Sequence, residues 1–514
     1  MALYAYPSRL HTLALGAVSE YVSDLLVLLV TFPQHAERQN FKTYCVQPIC
    51  KRLEKAIEST VPPSLAADMT INLLKYMDDI YYDLLHGKFK EGYRNVALLM
   101  RGKKKWNAKT CCKLTFSSSK QRHADYRSWC QQIAEEVLCA IFHSLETRLD
   151  TTSLESCNLP IICDGIFSKL RNLKVIRLGY ELVNEESLLN GVRELEALEE
   201  FSYSSSWDIL MEVLSGSCKG LKVLDIHDSV RVTDASVQFI VTFLHLEELN
   251  ISDTCISRGI KGILIGFAGP DVPGGNKYRT LLTKLSACFE IYDPTHIRLL
   301  SENFIHLTYL SLSLSIDCSL IPLKTLKSLT SLALCERPFF IDITVSDAEE
   351  MLQEIGAQLT SLHLEGISGI NLMFVYENCP YLRFLDLHFV HCSSLGFPDD
   401  LGLADCEERY PLPYLESVQS LDVFLVNCFV AEYIVSRCVN AKTIHIRWRV
   451  KKSCVRNLLH SMASGHLEEF SIAEGTNVTL SDELVIISKF DKSTRKHITY
   501  NTDVKNIESI LSLI

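Results

Sequence analysis

The stretch Leu221-Lys-Val-Leu-Asp-Ile226 places apolar residues at its first, fourth and sixth positions. Its last four residues alternate as a short strand with one buried face does: Leu224 and Ile226 inward, Val223 and Asp225 outward. Clear copies of the phrase run Leu246–Ile251, Leu307–Leu312, Leu329–Leu334, Leu359–Leu364 and Leu382–Leu387. Weaker copies begin at Leu173, Leu198, Leu282, Val418, Ala441 and Leu467. Successive starts lie 25, 23, 25, 36, 25, 22, 30, 23, 36, 23 and 26 residues apart. So short a strand cannot bury its apolar face alone, and a unit recurring at this period does so by stacking on its neighbours.

A period in the twenties carrying L-x-x-L-x-L is the pattern of leucine-rich repeats. The expected fold is therefore α/β: a leucine-rich-repeat solenoid of about twelve repeats over 145–485, with a parallel sheet on its concave face and helices on its convex face. A small α-helical domain over 1–144 precedes it and a cap over 486–514 follows. Val232-Thr-Asp, with apolar residues at helical spacing to Ile240, reads as a returning helix with its start signal. Cys218, Cys379 and Cys438 each sit three residues before a repeat start, a place for a small buried side chain. The unit from Cys218 to Ile226, followed by Val232-Thr-Asp, resembles the cysteine-containing leucine-rich repeat. That resemblance implies kinship with substrate-recognising subunits of intracellular ubiquitin ligases of the F-box kind.

The outward third and fifth positions of each copy define the concave surface, and most are small or acidic. Arg177, Glu248, Tyr309, His363, Phe384, Asp386 and His445 are the candidate partner-binding residues there. Tyr309 and Phe384 are the expected anchors, because large exposed rings cost solubility and are enriched at interface hot spots. Two turn-rich or acidic insertions, Gly266–Asn276 and Gly396–Pro411, interrupt the period. The first lacks the Gly-Lys-Ser/Thr ending of a phosphate loop.

Ahead of the repeats, Leu10, Leu13, Ala14, Ala17, Val18, Tyr21, Val22 and Leu25 follow three- and four-residue spacing, an amphipathic helix. Further helical patterns occupy about 44–57, 64–85 and 125–149. Leu10-His-Thr-Leu-Ala14-Leu-Gly-Ala-Val18, within a segment 9–22, resembles an elongin-binding box. Val61-Pro62-Pro63-Ser64-Leu65, opening a segment 61–77, resembles a cullin box. This order ahead of leucine-rich repeats resembles elongin-box receptors, which implies that Leu10 inserts into elongin C with Ala14 packed closely behind it and Val18 as the box's further aliphatic residue, and that Pro62 and Leu65 meet a cullin. Arg9 and Ala14 depart from the usual box, and 61–76 also fits an F-box that would take a Skp-type adaptor. The alternative is a scaffold whose helical head only caps the array.

Among 514 residues the charged share is 22%, the apolar share 47% and the net charge −11, which fits a globular chain and argues against nucleic acid as partner. The basic run Arg101–Trp106 lies outside the repeats. No apolar stretch is long enough to cross a bilayer, and Met1–Leu10 lacks a secretory pattern, so no membrane association is expected. Nineteen cysteines with no C-x-x-C pair read as thiols of a reducing compartment, cytoplasm or nucleus. No H-E-x-x-H or G-x-S-x-G occurs, and His388, His391 and Cys392 read as a loop past a strand. The sequence thus predicts no enzyme, no metal and no cofactor, but a protein-binding subunit, with a protein substrate, an adaptor and a cullin as partners.

Overall fold

The computed structural model describes residues 47–60, 74, 134–142, 144–152, 164–179, 183–268, 281–292, 294–314, 319–335, 343–344, 348–368, 371–390, 395, 397, 408–425, 428–447 and 468–472. The chain divides into two compact units, Met1–Arg231 and Val232–Ile514. Both have the α/β architecture of a leucine-rich-repeat solenoid.

In the first unit four strands, β1 (Arg148–Asp150), β2 (Val175–Leu178), β3 (Glu200–Tyr203) and β4 (Val223–Asp225), pair in parallel, each with the next. Leu149, Ile176, Phe201 and Leu224 stand opposite one another along the row and are all at most 1% exposed. Helix α1 (Gln47–Thr60) belongs to this unit, overlapping the helical pattern read at 44–57. Its buried Cys50, Leu53 and Ile57 share one face, and Lys169 pairs with its Glu54 at 2.8 Å. Lys169 ends α2 (Asp164–Lys169) and also donates to the Cys139 carbonyl at 3.0 Å, so one ammonium ties the head segment to the first repeat helix.

Between strands, α3 (Glu185–Arg193) and α4 (Asp208–Ser217) return the chain. Asn184 caps α3, its side chain accepting from the Ser187 amide at 3.0 Å, with Glu185 and Glu186 in the first turn where the helix dipole favours them. At Gly191 an added Cβ would fall 2.1 Å from the Phe167 ring, so α2 and α3 approach through a glycine.

The second unit repeats the plan. Its strands are β5 (Glu248–Asn250), β6 (Lys284–Tyr292), β7 (Tyr309–Leu314), β8 (Ser331–Cys335), β10 (Ser361–Glu365), β12 (Phe384–Val390), β13 (Ser420–Leu425), β14 (Thr443–Ile446) and β15 (Glu469–Ile472), again parallel and in chain order. A separate short pair joins β9 (Ile343–Thr344) to β11 (Ile367–Ser368). Leu249, Leu285, Leu310, Leu332, Leu362, Leu385, Leu421 and Ile444 form one register row, none more than 2% exposed. Each fully buried aliphatic contributes about 1.5–3 kcal/mol, which makes this ladder the main stabilising term.

Helices α5 (Val237–Ile240), α6 (Ile260–Ala268), α7 (Pro294–Asn303), α8 (Ala348–Ile355), α9 (Leu372–Asn378) and α10 (Cys428–Arg437) return the chain in this unit. The start signal at Thr233 opens a 3-10 turn, Asp234–Ser236, before the single turn of α5. Between starts Leu307 and Leu329 the return is a 3-10 turn, Ile321–Thr325, because 22 residues leave no room for more.

One turn recurs at strand entry: the amide of the first motif residue donates to the carbonyl three residues earlier, as in Leu198 to Leu195, Leu221 to Cys218 and Leu382 to Cys379. Cys218, Cys379 and Cys438 occupy that earlier place and are at most 5% exposed. The Cys218 thiol donates to the Leu195 carbonyl of the preceding repeat at 3.4 Å. Burial pushes all three thiols up to about 12, so they stay protonated and can donate.

The structure adds one repeat the sequence reading passed over. At β1 the phrase is Glu146-Thr-Arg-Leu149-Asp-Thr151, polar at two positions where the other copies carry apolar residues, yet Glu146, Leu149 and Thr151 are each at most 2% exposed. Thr151 replaces packing with hydrogen bonds, donating to the Arg177 carbonyl from both its amide (2.8 Å) and its hydroxyl (3.3 Å).

Candidate functional site

On the sheet face away from the aliphatic ladder, the second unit carries a cluster of ionisable side chains. Its first row is the motif's fifth position, in register Ser286, Ser311, Ala333, His363, Asp386, Asp422, His445 and Ser471. Its second row is the seventh position, one alternation further along: Cys288, Ser313, Cys335, Glu365, His388, Phe424 and Arg447. Side chains two residues apart on a strand share a face, so the two rows lie side by side.

His363 stands centrally. Its Nδ1 is 3.3 Å from Asp386 Oδ2 and its Nε2 is 3.7 Å from Glu365 Oε2. Burial works against the charged ring, but the two carboxylates outweigh it and raise the imidazole to about 9, leaving it protonated at neutral pH. The His388 ring meets it edge-on, centroids 5.1 Å apart. His388 Nε2 lies 3.0 Å from Asp422 Oδ1 in an orientation that completes no hydrogen bond. Asp422 is 6% exposed and takes a forked contact from Arg447, with Nε at 2.8–2.9 Å and the terminal nitrogen at 2.6 Å. Burial would raise the Asp422 carboxyl, yet His388 and Arg447 hold it at about 2.

Toward β6 the cluster turns to thiols. Cys288 Sγ lies 3.7 Å from Cys335 Sγ, too far for a disulfide. The neighbouring Cys335 thiol, helped by Ser311, Ser252 and Ser286, holds Cys288 below the ordinary thiol value against the effect of burial. Cys288 reaches this face where β6 breaks register with β7, between Ala287 and Ile291. Single donor atoms of Cys335, His363 and Glu365 all fall within 4.8 Å of one another.

The anticipated partner-binding residues divide. His363 and Asp386 touch, His445 stands beside Asp422 in register with its Nδ1 2.6 Å from Ser471 Oγ, and Phe384 borders this group with its ring 49% exposed. Tyr309 is half-buried; burial raises its phenol, while Ser311 and Ser286 act the other way. Glu248 pairs with Lys284 at 2.7 Å. Arg177, in the first unit, is taken up by Glu200. Leu10, Ala14, Val18, Pro62 and Leu65, like the cap over 486–514, lie outside the described residues.

Cys288, Cys335, Glu365, His388 and Arg447 were not singled out from the sequence on these grounds, since only the third and fifth positions were taken as outward. Extending the alternation to the seventh position would have found Cys335, Glu365, His388 and Arg447, whereas Cys288 joins them through the register break in β6. Two clefts of about 390 and 460 Å3 open elsewhere, beside Tyr376 and Tyr414 and beside Pro380 and Tyr381. No helix among the described residues is long and apolar enough to cross a membrane.

No family model matches the chain, and no curated protein does. Solved structures do match. One is the crystal structure of the Rad7 and Elc1 complex in yeast, 13% identical over 90% of this chain and 97% of that one, with a TM-score of 0.36. At that score the likeness carries no functional weight.

Proposed function

We propose that this chain is a non-catalytic recognition subunit that holds a protein substrate on the open face of its repeat sheet and brings it to a cullin-based ubiquitin ligase. The observation carrying the recognition role is the second unit's sheet face away from the aliphatic ladder, where the half-exposed Phe384 borders the charged rows around His363, Asp386, Asp422 and Arg447. An aromatic anchor beside fixed charges is the composition of an interface hot spot. Its ion pairs are satisfied within the protein, so the face is ordered before a partner arrives and less entropy is lost on binding.

The ligase association rests on sequence: the cysteine-type repeat at Cys218–Ile226 and the order of the Leu10 and Pro62 boxes. Leu10 and Pro62 would dock an elongin C or Skp-type adaptor and a cullin. Affinity purification of the full chain from cells tests it. Elongin C or a Skp-type adaptor should co-purify with wild type, and Leu10→Arg should lose it. If neither adaptor co-purifies, or Leu10→Arg leaves the association intact, the chain is a scaffold without ligase function.

A further inference from the structure

We propose that Cys288, Cys335, His363 and Glu365 form a binding site for a divalent, thiolate-preferring metal ion, zinc being the fitting one, which clips strands β6, β8 and β10 together across the sheet face away from the aliphatic ladder. The inference is independent of the ligase reading.

Geometry comes first. Tetrahedral zinc holds sulfur at about 2.3 Å, which puts two ligating sulfurs about 3.8 Å apart. The Cys288 and Cys335 sulfurs are 3.7 Å apart. The Cys335, His363 and Glu365 donors lie within 4.8 Å of one another, and closing by about 1 Å through side-chain rotation brings them to ligand spacing. Cys335 and Glu365 are direct register partners on adjacent strands, and His363 is two residues before Glu365 on the same face. The backbone that brings the donors together is therefore the repeat ladder itself.

The surrounding groups fit as well. Ligating imidazoles commonly hold a carboxylate on their second nitrogen, which fixes the ring and raises its basicity. Here Asp386 occupies Nδ1 of His363, leaving Nε2 aimed toward Glu365. Two thiolates, one imidazole and one carboxylate make a donor set suited to zinc and poorly suited to magnesium or calcium. Binding releases the protons of both thiols and of the His363 ring, so affinity should rise with pH. No C-x-x-C spacing announces the site, because the ligands come from three repeats, with 47 residues from Cys288 to Cys335 and 28 from Cys335 to His363.

Cobalt titration of the chelator-stripped full chain tests this. One equivalent should produce the intense visible bands of tetrahedral cobalt with a near-ultraviolet thiolate band, and zinc should abolish both. Cys288→Ser, Cys335→Ser and His363→Gln should each remove the thiolate band, while Cys438→Ser, a buried thiol elsewhere, should leave it. Asp386→Asn, acting through His363, should weaken binding about 10–100-fold without removing the band. Zinc should also raise the melting temperature of wild type but not of His363→Gln. Should Cys335→Ser not fold, Cys288→Ser and His363→Gln decide. The proposal is overturned if stripped wild type shows no thiolate–cobalt band, or if the band survives in well-folded Cys288→Ser and His363→Gln.

Discussion

Asp422 shows how a single side chain on this face works: nearly buried, its charge is stabilised by Arg447 and His388 beside it. Its carboxyl is held at about 2, against an ordinary value of 3.8. A depressed carboxyl stabilises the fold above its unfolded-state value and loses that contribution as pH falls from about 4 to about 2. The stabilisation amounts to about 2 kcal/mol. Asp422→Asn should therefore be less stable than wild type by about this much in urea at neutral pH, with the gap shrinking below pH ~4. An unchanging gap across that range would show that the carboxyl contributes through shape and not charge. At Gly191 the constraint is space: Gly191→Ala would push a methyl into the Phe167 ring. A loss of about 1–3 kcal/mol is expected by chemical denaturation, as for other overpacked contacts, and equal or greater stability would mean that α2 and α3 can separate freely.

Among elements, helix α10 shows how an insertion is fastened. The fully buried Tyr433 accepts from the Leu412 amide at 2.7 Å and donates to the Tyr410 carbonyl at 2.9 Å, pinning the end of the Gly396–Pro411 insertion. Tyr433→Phe leaves two backbone groups without that partner and should cost about 1–3 kcal/mol, read from the shift of the urea midpoint. No shift would mean that water replaces the phenol. The strands themselves were legible from sequence, since the aliphatic alternation at Leu221, Leu307 or Leu382 admits one buried face. β1 was not, because Glu146 and Thr151 sit where Leu is expected and only the completed sheet reveals them as buried. The site was half legible. His363, Asp386 and Phe384 follow from alternation alone, but the thiol pair depends on a register break in β6 that no side-chain pattern announces.

For the whole molecule, the repeat architecture and its charged, aromatic-edged sheet face are structural facts; partner and adaptor are inferences that separate experimentally. The proposed adaptor boxes at Leu10 and Pro62 and the proposed recognition face at Phe384 lie far apart in the sequence, so the proposal requires two independent functions in one chain. Comparing wild type, Leu10→Arg and Phe384→Glu by quantitative affinity purification addresses this directly. Leu10→Arg should lose adaptor and cullin while keeping the proteins held by the sheet face, and Phe384→Glu should do the reverse. Loss of both classes together in either folded variant, or retention of both in each, would contradict the account.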